Sequence, residues 1–144
     1  MKALNYPPHL TFVMYPEIDM ETLWNVTKFI FDGRKKLTLT FTEIRRFENS
    51  PLVLYAHPSD VTELTEFHWE IHSRINPLLC EDYYRPDNWV AHCTLGTNIL
   101  PEKQEAAMAL VREPFDPIEV VFDAADCLNY PPISRVERLS LADE

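Results

Sequence analysis

The chain has 144 residues, of which 46% are hydrophobic and 12% aromatic, and a formal net charge of −10. That length and composition suit one globular domain with a real core and exclude a disordered chain. The acidic balance argues against a protein that grips long nucleic acid through its phosphates, since that mode needs a basic face, but it leaves room for a small anion in a locally basic pocket.

His9 to Tyr15 is an apolar run opened by Pro7-Pro8 and closed by Pro16, the length of one buried strand. Asp19 is placed to cap a helix with Met20, Leu23, Trp24, Thr27, Ile30 and Phe31 on one face, and Gly33 is placed to end it. After the basic link Arg34-Lys35-Lys36, the apolar residues Leu37, Leu39 and Phe41 alternate with threonines, as in a half-buried strand. Glu48 to Pro51 reads as a turn and Leu52 to Ala56 as the returning strand. Asp60 is expected to open a second helix carrying Val61, Leu64, Phe67, Ile71, Ile75 and Leu78, which stops near Pro77 to Leu79.

Glu81 to Asn88 has the composition of an ordered loop, and Trp89 to Thr97 that of another strand. Pro101 suits the first turn of a third helix with Ala106, Ala107, Leu110 and Val111 as its apolar face, ended by Pro114. Ile118, Val120, Phe122 and Ala124 alternate as a strand, Asn129 to Pro132 turns, and Ile133 to Leu141 returns.

The two halves read alike, as strand, helix, alternating strand, proline-containing turn and returning strand. His9 and His92 stand 83 positions apart, and Pro51 and Pro132 stand 81 apart, so the register is nearly constant. The pattern predicts an α/β (α+β) domain over 1-144, built from repeats at about 6-58 and 89-141, with pseudo-twofold symmetry, antiparallel-rich sheets around a central cleft and helices outside.

The chemistry-bearing stretches are Pro8-His9-Leu10-Thr11-Phe12 and Ala91-His92-Cys93-Thr94-Leu95. On a strand, residues two apart share a face, so each presents an imidazole beside a hydroxyl. Two such pairs facing one cleft suffice for metal-free acid–base chemistry on a phosphate ester. A single His-x-Thr carries little weight: His57-Pro58-Ser59 fits a loose version of it and reads as a strand end. The argument rests on the matching positions of the two copies.

His68 and His72 form a rival pair, four apart on a helix, but Glu70 is not where a zinc-protease motif needs it. They read as a partly exposed helix flank, with no metal. Cys93 alternates away from His92 and Thr94. Together with Cys80 and Cys127 it indicates buried thiols in a reducing compartment rather than a disulfide framework. Tyr83, Tyr84 and Arg85 are candidates for the rim of the cleft or for a packed surface loop; Arg34, Lys35, Lys36, Arg45 and Arg46 are expected to be solvated, with steering of an anion toward the mouth as the lesser alternative. No stretch has the apolar length of a signal peptide or membrane span, so a cytoplasmic protein without membrane contact is expected.

The paired motifs resemble the His-hydrophobic-Thr-hydrophobic signatures of the 2H phosphoesterase superfamily, in particular its 2′-5′ RNA ligase-like branch, and the likeness runs from Tyr6 to about Leu141. It implies two α/β lobes around a cleft and cleavage of a cyclic phosphodiester, such as a nucleoside or RNA-terminal 2′,3′-cyclic phosphate, or reversible joining of RNA ends. His9 and His92 would be the acid–base pair, Thr11 and Thr94 the phosphate-binding hydroxyls, and no cofactor would be needed. A non-catalytic nucleotide- or protein-binding module on the same fold is the alternative; 2′-5′ RNA ligase activity is a third.

Two departures from the pattern stand out. Only eight residues precede His9 where relatives have another strand, so either the sheet lacks that edge or the chain given starts inside a longer one. Thr97 stands where many members have a basic residue, so Arg85 or another cation would have to substitute.

Overall fold

The computed structural model describes residues 7–47, 52–130 and 132–143, without the side chains of Asn98, Arg135 and Val136. Within them are three α-helices and six strands: α1 (Met20–Phe31), β1 (Leu37–Phe47), β2 (Leu52–Pro58), α2 (Thr62–Arg74), β3 (Cys93–Ile99), α3 (Gln104–Arg112), β4 (Ile118–Phe122), β5 (Ala124–Asn129) and β6 (Ser134–Ser140). One sheet has the order β3-β2-β1-β4, and β5 and β6 form a second. The fold is mixed α/β, and the β1–β2, β2–β3 and β5–β6 pairings are antiparallel.

The chain forms two compact units. The first takes Met1–Thr11, Leu39–Asp60 and Ala91–Val120; the second takes Phe12–Thr38, Val61–Val90 and Val121–Glu144. In the first unit, β2 lies between β1 and β3, and one face of this sheet packs against α3. Leu52, Leu54 and Ala107 form the buried centre there, with Ile44, Ile99, Met108 and Val111 around it. The apolar face of α3 is therefore Ala107, Met108 and Val111, whereas the predicted Leu110 points to solvent, 49% exposed. The helix is entered through a 3-10 turn at Pro101–Lys103, which rotates its face from the register expected of a helix starting at the proline.

The phase of β1 changes along its length. Leu39 and Phe41 are buried, as their alternation predicts. A register shift between Phe41 and Glu43 then inserts a residue. A bulge of this kind passes the apolar phase from odd to even positions. Ile44 and Arg46 consequently lie on the α3 side, where Arg46 Nη1 donates to Met108 Sδ at 3.0 Å. Glu43, Arg45 and Phe47 lie on the other.

In the second unit, α1 and α2 pack together, and α1 lies against the β5–β6 hairpin. Asp19 caps α1 by accepting from the Thr22 backbone N–H at 3.2 Å, and Gly33, at φ +76°, takes the left-handed conformation just past the helix end. Ile30, Phe31 and Ile71 centre the core, with Phe12, Val26, Phe67, Ala125 and Leu139 packed on them. Thr27 Oγ1 donates to the Leu23 carbonyl and receives the buried Cys127 thiol at 3.0 Å. Cys80 and Cys127 are buried free thiols, and Cys93 is half-buried.

Several boundaries differ from the expected ones. His9 to Tyr15 belongs to neither sheet: Pro7, Pro8 and Pro16 bracket it, and the Met14 carbonyl accepts from the Glu81 N–H at 2.9 Å. The second helix starts at Thr62, with Val61 as its cap, two residues after Asp60. It ends at Arg74, because Pro77 confines Asn76 to extended backbone, and Leu78 falls in a 3-10 turn, 73% exposed. The strand read through Ala124 is two strands, β4 and β5, broken at Asp123, whose carbonyl accepts from the Leu141 N–H. The predicted turn at Glu48 to Pro51 lies outside the described residues.

Candidate active site

His9, Thr11, His92 and Thr94 all fall in the first unit. His92 directly precedes β3, and Thr94 lies within it, opposite Tyr55 of β2. Residues directly opposite in an antiparallel pair share a face, so Thr94 and Tyr55 project together. The His92 ring meets Tyr55 at 5.9 Å and Phe47 at 5.2 Å, both edge-on, which places it on that same face. Phe47 stacks on Tyr55 at 4.3 Å between centroids. The imidazole and hydroxyl of the second motif thus stand side by side over an aromatic floor supplied by β1 and β2.

The first motif is joined to the second through Cys93. Burial pushes the Cys93 thiol up from its ordinary value, and the His9 backbone N–H partly offsets this by donating to the sulfur. The His9 ring has Nδ1 2.8 Å from the Pro7 carbonyl. A carbonyl only accepts, so that nitrogen carries the hydrogen and Nε2 is the acceptor of the neutral ring.

Three residues on the His92 face escaped the sequence reading. Tyr55 and Phe47 build its floor. His57, taken for a simple strand end, has Nδ1 3.0 Å from the Ala91 carbonyl and so holds the backbone one residue before His92. The signal for them was pairing register, which a single sequence does not display.

The other candidates sit in the second unit. His68 and His72 are buried, 1% and 6% exposed, rather than forming a partly exposed flank. Trp89 stacks on His68 at 4.2 Å and on Phe12 at 5.5 Å, closing over an imidazole that the helical pattern alone leaves outside. Both His68 Nε2 and His72 Nε2 approach the Tyr84 carbonyl, at 2.7 and 2.9 Å. Burial drives the His68 pKa down to about 4 and lowers that of His72. Among the described residues, no group of three His, Cys, Asp or Glu side chains is placed to hold a metal ion.

Arg85 staples its own loop, donating to the Cys80 and Leu78 carbonyls and pairing with Asp82 at 2.7 Å, while Tyr83 is 74% exposed. No helix among the described residues is long and apolar enough to cross a membrane.

Compared with protein families, residues 2–131 match the model of the 2′-5′ RNA ligase superfamily. The chain belongs to that superfamily. The match covers both His-x-Thr segments and every helix of the fold. Members of the 2′-5′ RNA ligase superfamily, which is part of the 2H phosphoesterases, are generally phosphoryl-transfer enzymes. A search of curated proteins finds no match.

Proposed function

We propose that this protein is a metal-independent cyclic phosphodiesterase that opens a nucleoside or RNA-terminal 2′,3′-cyclic phosphate. The observation that carries the reading is the placement of His92 and Thr94 on one sheet face, with the His9 backbone bonded to Cys93 between them.

In the reaction, one imidazole takes a proton from water as the water oxygen forms a bond to phosphorus. The other imidazole gives a proton to the departing ribose oxygen as the phosphorus–oxygen bond to it breaks. An imidazole near pKa 6.5 serves in either role around neutral pH. The Thr11 and Thr94 hydroxyls donate to the non-bridging oxygens, where negative charge grows. The product is a ribose monophosphate, and the two histidines have exchanged protonation states, which solvent resets.

Small nucleotides or RNA ends fit the acidic chain better than long nucleic acid does, because counterion release at many phosphates requires many cations. Incubation with the four nucleoside 2′,3′-cyclic phosphates in excess chelator tests the reading: turnover supports it, and its absence on all four points to a binding module.

A further inference from the structure

A cyclic phosphodiester is an anion, and on a protein of net charge −10 it needs a local cation to hold it. The regular β1–β2 register sets Arg45 opposite Tyr55, and the β2–β3 register sets Thr94 opposite the same Tyr55. Arg45, Tyr55 and Thr94 therefore form one transverse row on the face that carries His92. Neighbouring strands lie about 4.8 Å apart, so the outer members of the row are roughly 10 Å apart at the backbone, within reach of an arginine side chain. Phe47, also on β1, already spans that distance to touch His92 at 5.2 Å.

The Arg45 guanidinium is oriented by Glu43. Its Nε donates to Glu43 Oε1 at 2.8 Å and Nη2 pairs with the same oxygen; Glu43 foremost, and the neighbouring Tyr55 to a lesser degree, raise its pKa. The side chain is 44% exposed and that of Glu43 48%, so the ion pair is a weak, solvent-screened one that an incoming anion can compete for. A guanidinium has five N–H donors in a fixed fork suited to two phosphate oxygens at once.

Resting on the phosphodiesterase reading, we propose that Arg45 binds the non-bridging phosphate oxygens of the ligand beside Thr94, across Tyr55 in the same row, with Glu43 acting as its resting counter-ion. The ligand displaces the Glu43 carboxylate from part of the fork. Arg46, one residue on, faces α3 and takes no part.

The test is calorimetric binding of adenosine 2′-monophosphate and of inorganic phosphate, neither of which requires turnover. Arg45→Ala is expected to weaken both about tenfold or more, and Arg45→Lys to recover only part, because an ammonium does not reproduce the fork. Glu43→Gln is expected to strengthen both a few-fold, a change in the opposite direction that a merely structural ion pair would not produce. Equal affinities for wild type, Arg45→Ala and Glu43→Gln, or no binding by the wild type, overturn the proposal. If His9→Ala and His92→Ala still abolish hydrolysis in that case, the phosphodiesterase reading stands and the Arg45 assignment alone has failed. Conversely, Arg45-dependent binding without turnover supports the anion site and removes the enzyme.

Discussion

His57 Nδ1 lies 3.0 Å from the carbonyl of Ala91, so a histidine outside both His-x-Thr motifs anchors the backbone one residue before His92. The bond runs between β2 and the entry to β3, where the chain is not yet in the ladder. His57→Ala should therefore lower kcat about 2- to 10-fold, the worth of one hydrogen bond, with KM nearly unchanged. His57→Asn should recover part of the loss by offering a donor again. A change confined to KM would contradict a role in holding His92.

Thr94 shares the His92 face, and its hydroxyl is proposed to meet the phosphate. Thr94→Val keeps the β-branched shape opposite Tyr55 and removes the donor. It should reduce kcat by about 10²–10³-fold, as loss of one donor to developing charge does, while the denaturation midpoint moves little. Steady-state kinetics beside a urea titration checks both parts.

The second unit should make stability depend on pH. A histidine in an unfolded chain takes up its proton near pH 6.5, whereas His68 in the fold does so only near 4. Between these values the unfolded chain binds more protons. Stability is full above about pH 6.5 and falls as the pH is lowered toward 4. His72, also lowered by burial, adds in the same direction. Urea midpoints at pH 7.5 and 5.0 should differ more for the wild type than for His68→Gln. Equal differences would remove His68 as the source.

Much of the second unit was legible because its signals are local: the Asp19 cap, the spacing of Thr27, Ile30 and Phe31, and Gly33 lie within one helix and its ends. The segment His9 to Tyr15 differs from the expected strand because an apolar run reads as a strand whether or not a ladder partner exists. The remainder of the site lay in non-local information. The bulge between Phe41 and Glu43 turns Arg45 toward the Thr94 side, and only strand register shows it. His68 is buried because Phe12 and Trp89, distant along the chain, close over it.

The Asp19 cap itself makes a stability prediction. Its carboxylate accepts from the Thr22 backbone N–H and from the Thr22 hydroxyl at 3.1 Å. Asp19→Ala should cost about 1 kcal/mol, within the usual 0.5–2 for a lost N-cap, with kcat and KM unchanged. Chemical denaturation at pH 7 measures it, and an unaltered midpoint would show that the cap contributes nothing.

The most direct measurement is the rate of 2′,3′-cyclic nucleotide opening in excess chelator by the wild type, His9→Ala and His92→Ala. Wild-type turnover is expected, with each single variant slower by roughly 10²–10⁴-fold, the contribution of a positioned acid or base. Near-normal rates in both variants would contradict two-histidine catalysis.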